Sequence, residues 1–277
     1  MNRVYFDYNA TWPRDHKAYQ SLIAVLHLAQ DNNLKDSKSY SLTEIANILG
    51  CHALELLVTS GGTEGNNILI QTLFHYHFPQ KRHFITTSVE HPSILKTAQY
   101  IKKNGGEVTF LTVDQHGALD LNQLKKSIRD DTFLVSAMYA NNETGVLFPV
   151  HAIASICKEH RVEFHTDAVQ VLGKLPFSFH ELSATYTVIS GHKIGAPMGF
   201  GFLYAQNNSN FSNMATTKMK SFFDNQIIEK QKYLQLFLQI YKERLKDLDQ
   251  EKDRLSQIQT SFIQWLKQTF QYIVIFG

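Results

Sequence analysis

The feature that most constrains this chain is an alternation, repeated over most of its first two hundred residues, of short apolar runs with helix-like segments. Residues 54–59, 84–87, 108–113, 133–139, 162–165 and 185–189 read as strands, dense in Leu, Ile, Val, Phe and Thr. Between them lie segments with apolar residues at three-or-four spacing, such as Ile68, Leu69, Leu73 and Phe74. Pro92 is well placed for a first helical turn, Gly105-Gly106 ends that helix, Asp120 opens another, and residues 150–160 form a further one. Ser41 with Glu44 reads as a capping box on a short helix over 42–49 that stops at Gly50. Strands alternating with helices in this way predict an α/β fold in three layers, a mostly parallel sheet covered on both faces.

Such sheets collect ligands beyond the carboxyl ends of their strands. Residues 59–66, Glu90-His91, Asn141-Asn142-Glu143, 167–170 and 190–193 each follow a predicted strand and open a loop or helix. Five turns therefore converge on one edge. After Gly201 the chain changes character, with no Pro and no Gly until Gly277. Leu234, Phe237, Tyr241, Leu245, Leu248, Leu255, Ile258, Phe262 and Leu266 then predict one or two long amphipathic helices. Their stripe packs on the main domain or a partner subunit, and residues 272–276 read as the start of a strand.

With 277 residues, 43% hydrophobic and 19% charged, the chain can bury a substantial core. The net charge of +2 comes from interspersed Lys and Glu, which argues against a nucleic-acid partner. No signal-like or membrane-spanning apolar run interrupts it, so the expected location is cytoplasmic. Cys51 and Cys157 are too few and too isolated for a disulfide framework or a zinc site. His75 and His77 lie on a helix flank, and no histidine pair has ligand spacing beside a carboxylate, so no metal is expected.

The chemistry-bearing residues sit on the predicted edge. Gly61-Gly62-Thr63 at a helix start can turn backbone amides and a hydroxyl onto a phosphate, though a glycine pair there also serves as a plain tight turn. His91 can stack on an aromatic ring, or simply cap a helix. Asn142 and Gln170 are neutral groups able to fix a phenolic oxygen. Asp167, ending a strand, needs a partner; a ring-nitrogen cation at about 4 Å would interact by about 4 kcal/mol at an effective dielectric near 20. Its plainer reading is a helix cap. Lys193, between Gly191 and Gly195, can deliver an amine to an aldehyde cofactor, and desolvation is what makes such lysines nucleophilic.

Taken together these residues resemble the class V aminotransferase family of pyridoxal-phosphate enzymes, and within it the cysteine desulfurases of the NifS and IscS type. The likeness runs from Val4-Tyr5-Phe6-Asp7-Tyr8-Asn9-Ala10-Thr11 to about Tyr204. It is densest in Glu90-His91, Asp130-Asp131-Thr132, Asn141-Asn142-Glu143-Thr144-Gly145, His165-Thr166-Asp167-Ala168-Val169-Gln170, Gly173-Lys174-Leu175-Pro176 and Ser190-Gly191-His192-Lys193.

The resemblance implies a pyridoxal-phosphate transferase-like fold, with a cofactor-binding large domain over 1–205 and a helical extension over 206–277 that begins a small domain. It implies Lys193 as the cofactor lysine, Asp167 on the ring nitrogen, and His91 stacked on the ring and assisting proton transfer. Thr63, Ser190 and His192 would hold the phosphate, with Gly62 at its turn, while Asn142 and Gln170 would contact the ring hydroxyl. It further implies a homodimer that converts cysteine to alanine and passes the sulfur, through a persulfide, to acceptor proteins such as those of iron–sulfur cluster assembly.

Departures accompany the matches. Residues 205–224 show no Arg-Ser-Gly-Thr equivalent, Trp12 replaces a second threonine, and residues 31–40 lack the usual Asn-Pro-Ser-Ser. The persulfide cysteine and the carboxylate-gripping arginine belong to the family's small domain, most of which is expected to be missing here. The leading expectation is therefore an impaired desulfurase. The alternatives are a non-enzymatic remnant or binding protein of the same fold, or a related pyridoxal-phosphate lyase or aminotransferase with another substrate.

Overall fold

In the computed structural model, residues 38–214 and 231–273 are described. The expected opening strand over 4–11, Trp12, residues 31–37, and the second half of the stretch compared at 205–224 lie outside them.

The chain forms, in order, helix α1 (Lys38–Ile48), a single 3-10 turn, strand β1 (Leu56–Thr59), α2 (Gly62–His77), β2 (His83–Thr87), α3 (Pro92–Lys103), β3 (Glu107–Leu111), α4 (Leu121–Ser127) and β4 (Thr132–Ser136). It continues through α5 (Val150–Glu159), β5 (Glu163–Asp167), α6 (Phe179–Leu182), β6 (Tyr186–Ser190), a second 3-10 turn (Gly191–Ile194), β7 (Gly201–Ala205), α7 (Asn210–Met214) and the long α8 (Gln231–Thr269). Among the described residues seven strands make one sheet in the order β1-β7-β6-β5-β4-β2-β3. β3, β2, β4, β5 and β6 run parallel, and β7 runs antiparallel to both β6 and β1. The carboxyl ends of β1, β2, β4, β5 and β6 therefore share one edge with the first residue of β7.

Both faces of the sheet are covered, which is why its strands read as continuous apolar runs rather than alternating ones. Phe84, Leu134, Tyr186, Val188 and Leu203 pack with Leu69, Leu73, Ile94 and Ile101 of α2 and α3. Ile85, Val135 and Phe164 pack with Ile153, Ile156 and Cys157 of α5. Val58, Ile189, Phe202 and Tyr204 meet α1 and the first turns of α8, where Leu234, Phe237 and Tyr241 are buried. Burying each such side chain contributes about 1.5–3 kcal/mol before the entropy of ordering it.

Three local expectations are corrected. The chain is already helical at Lys38, so Ser41 lies inside α1 rather than at its start. The predicted strand at 54–59 opens as a 3-10 turn over Ala53–Glu55, whose Glu55 carboxylate accepts from the His52 amide at 2.9 Å and from the Asn207 amide at 3.0 Å. That buried anchor fixes the turn and shortens the strand. β7 was not predicted at all. By contrast Asp120 caps α4, its carboxylate accepting from the Asn122 amide at 2.8 Å.

Of the one or two long amphipathic helices expected toward the C-terminus, the structure has one of 39 residues, α8. Its amphipathic stripe leaves the core after Tyr241, so that Leu255, Ile258, Phe262 and Trp265 are about half exposed. Tyr272 and Ile273 are not in a strand, and residues 274–276 lie outside the described ones. No helix among the described residues is long and apolar enough to cross a membrane.

Candidate functional site

The site is built on the shared strand edge. Thr59 and Ser190 both pair with Gly201, which lies between them. A Cβ on Gly201 would stand 2.5 Å from the Ile189 carbonyl oxygen and 2.9 Å from Gly61 Cα, so glycine there lets the turn before α2 press onto the sheet. Gly61 itself has φ +142°, a conformation glycine supplies at little cost. The first amides of a helix lack intrahelical acceptors, and those of α2 open beside Thr63, Ser190 and His192. Ser190 Oγ and His192 Nδ1 are 2.7 Å apart.

Asp167 ends β5 and is buried. Its Oδ2 accepts from Asn66 Nδ2 at 2.8 Å and its Oδ1 from the Val169 amide at 3.0 Å. Burial pushes the carboxyl above the usual carboxylate range; those two hydrogen bonds and the charges of His91 and Lys193 pull the other way. A cationic N–H beside it would favour the ionised form. Asn66 escaped the sequence reading, yet its signal was present: it continues the Leu69, Ile70, Leu73 stripe of α2, a polar residue on a buried face.

His91 caps α3, its Nδ1 accepting from the Ser93 amide at 3.2 Å and lying 2.8 Å from Ser93 Oγ. Beside it Glu90 is fully buried, with Oε1 accepting from Thr87 Oγ1 at 2.7 Å and from the Met138 amide at 2.9 Å, and Oε2 unpartnered. Burial, opposed by those bonds, pushes the Glu90 carboxyl from 4.5 up to about 8. The folded protein thus keeps a proton that the unfolded chain releases. The resulting stabilisation is full below about pH 4.5 and is lost as pH rises through about 8. Glu90→Gln should flatten the fall of the urea midpoint over that interval relative to the parent; an unchanged slope would show that Glu90 is ionised when folded.

Lys193 lies in the 3-10 turn after β6, which ends at Gly195 with φ +93°. It is half-buried. Its charge is felt around it: the His192 imidazole is pushed down by burial and then by Lys193. The Lys174 amine is driven to about 8 by burial and then by Lys193. Lys174 Nζ donates to Gln170 Oε1 at 2.6 Å, a link the Gly173-Lys174-Leu175-Pro176 motif contained but did not explain.

Gly62, Thr63, His91, Asn142, Asp167, Gln170, Ser190, His192 and Lys193 all line one cleft of about 510 Å³, together with Met138, Ala140, Glu143, Val169 and Met198. The edge thus brings every sequence-selected site residue to one place, at a volume ordinary for a small-molecule site. Asn142 is partly buried, its amide donating to the exposed Glu143 Oε1 at 2.5 Å.

A sequence model of the class-V aminotransferases matches residues 4–232. The chain belongs to that family. As a class V aminotransferase it is 38% identical over 220 residues to a cysteine desulfurase of Nostoc sp. strain PCC 7120, the match covering 76% of this chain and 55% of the relative. The chain spans a little over half the length of the curated relatives it matches. Among solved structures it superposes on a NifS-like protein with a TM-score of 0.83 at 26% identity, covering 96% of this chain and 76% of that one. It also matches SspA in complex with cysteine, with a TM-score of 0.70 at 31% identity over 75% of this chain and 63% of the other. Class V aminotransferases as a family use pyridoxal phosphate.

Proposed function

We propose that this class V aminotransferase binds pyridoxal 5'-phosphate in the cleft and serves cysteine desulfurase chemistry, with residues 1–205 as its cofactor-binding unit. The convergence of Lys193, Asp167, His91 and the amino end of α2 on one cleft carries this reading. The donor set fits the cofactor. A buried carboxylate hydrogen-bonded by two neutral donors suits a protonated ring nitrogen, a half-buried amine suits an aldehyde, and a glycine turn at a helix start with two hydroxyls suits a phosphate.

When bound, the cofactor supplies an electron sink for the amino-acid α-carbon. Lys193 holds its aldehyde and moves the proton at that carbon. Asp167 keeps the ring-nitrogen proton in place. His91 covers one ring face, Asn142 and Gln170 orient the ring hydroxyl, and Lys174 holds Gln170. Gly62, Thr63, Ser190 and His192 bind the phosphate. Cysteine and an acceptor thiol, RSH, then give alanine and the persulfide RSSH, with every atom accounted for.

Among the described residues, no cysteine or arginine lines this cleft. Burial pushes both Cys51 and Cys157 up to about 12, Glu55 adding to the effect at Cys51. Burial thus disfavours, at both positions, the thiolate that attacks sulfur. Ellman's reagent should therefore find no fast-reacting thiol in the native protein and both in denaturant; one rapid native thiol would return a cysteine of this chain to candidacy.

That neither group is among the described residues of the cleft lining favours a second reading, a family member that holds the cofactor but does not transfer sulfur from cysteine. Two measurements decide between them. Added pyridoxal phosphate should give the purified protein a visible absorbance band, and a protein that stays colourless would sink both readings. Sulfide release from cysteine under reducing conditions supports desulfuration, whereas its absence with the band present supports the second. Homodimerisation and a sulfur-acceptor protein belong to the first reading.

A further inference from the structure

A buried chain of hydrogen bonds joins the two ends of the cleft. Asn66 Nδ2 lies 2.8 Å from Asp167 Oδ2 and 3.0 Å from Ser93 Oγ. Ser93 Oγ lies 2.8 Å from His91 Nδ1, and the Ser93 backbone amide lies 3.2 Å from that same nitrogen. Asn66 and Ser93 are both at most 5% exposed, so water does not compete for these bonds.

The proton count leaves one arrangement. A carboxylate oxygen accepts, so the Asn66 group facing Asp167 is the NH2, and its second proton goes to Ser93 Oγ. Reversing the amide would set two acceptor oxygens 2.8 Å apart. The Ser93 hydroxyl, accepting from Asn66, has its own proton to give, and His91 Nδ1 is the acceptor within reach. The Ser93 amide can only donate, and it points at the same atom. Nδ1 is therefore unprotonated, and neutral His91 carries its proton on Nε2. Asn66 Oδ1 is buried and unpartnered, so at this position the asparagine forgoes one hydrogen bond while both of its N–H groups are used.

We propose that Asn66 and Ser93 are positioning residues which transmit the acceptor state of Asp167 to His91 and hold it as the Nε2–H tautomer, leaving a donor N–H for the cleft. This rests on the reading of the cleft as the cofactor site only for its use in catalysis. The tautomer itself is a property of the protein alone. With the cofactor bound, the same relay ties the group on the ring nitrogen to the group over the ring face, so His91 can give a proton from Nε2 but does not take one at Nδ1 without breaking the chain.

The test uses the full-length protein with 15N-labelled histidine. Two-bond 1H–15N correlation spectra report the tautomer of each ring, and His91→Gln assigns the signal among the thirteen histidines. Without cofactor, His91 should show a single pattern with Nε2 protonated. Ser93→Ala removes the hydroxyl and leaves the 3.2 Å backbone amide on Nδ1, so a minor Nδ1–H population absent from the parent should appear, and Ser93→Thr, which keeps a hydroxyl, should remove it again. Asn66→Ala, read in the same way, serves if Ser93→Ala does not fold. An Nδ1–H pattern in the parent, or no change in either alanine variant, overturns the proposal. A colourless protein with the expected tautomer would overturn the cofactor reading and leave the relay standing. A coloured protein with the wrong tautomer would do the reverse.

Discussion

Lys193→Ala is expected to abolish the visible band that pyridoxal phosphate gives the parent protein, and borohydride treatment should no longer fix the cofactor to the chain. The reason is that Lys193 is the amine the cleft presents, on the turn Gly191–Ile194 that β6 delivers to the sheet edge. The fold should survive the change: the neighbours that anchor the turn are Ile194, buried in the core, and Gly195, whose positive φ sets its exit. Loss of the proton-transferring amine should lower turnover by about 10²–10⁴-fold even where cofactor is supplied in excess. A second consequence is independent of turnover. Because Lys193 helps drive the Lys174 amine to about 8, removing it should move Lys174 back toward its ordinary value. The reading fails if Lys193→Ala keeps the band and peptide mapping finds the reduced cofactor on Lys174.

Much of this site could be read from the chain because topology did the gathering. A parallel strand buried on both faces is an unbroken apolar run, and each such run here gives way within two residues to Ser, Asn or Asp. Naming the run ends was enough to bring Thr63, His91, Asn142, Asp167 and Lys193 to one edge. The parts that were missed depend on pairings far apart in sequence. Gly201–Ala205 is a short segment with no alternation, and only its antiparallel register with β1 and β6 shows that Gly201 makes room for the Gly61 turn. Asn66 meets Asp167 across 101 residues, and nothing local in α2 names the partner. Ser41 failed for the opposite reason. Its capping-box pattern was locally sound, but the chain is already helical at Lys38, and Leu42 and Ile45 of α1 pack against the start of α8.

Asp167→Asn should weaken the cofactor by a factor on the order of 10³ while leaving the unloaded protein folded. A unit charge pair in contact at an effective dielectric near 20 is worth about 4 kcal/mol, close to three decades in affinity. Without cofactor the substitution has two opposed effects. It removes a carboxylate that burial disfavours, and it leaves either Asn66 or Val169 facing an NH2 where an oxygen had accepted, at a cost of about 1–3 kcal/mol. The two partly offset, so the melting temperature of the unloaded variant should lie near that of the parent. The cofactor-induced rise in melting temperature, which scales with the logarithm of occupancy over the dissociation constant, should shrink or vanish. The pH dependence should separate the charge from the shape. In the parent, Asp167 has a raised folded pKa and must be ionised to meet a cationic ring, so affinity should fall as the medium becomes acidic through that pKa. The asparagine variant has no proton to lose there, and this acid-side fall should be absent from its affinity profile. An affinity equal to the parent's would mean that the ring nitrogen does not lie against Asp167, and the chemistry assigned to this cleft would have to be redrawn around Lys193 alone.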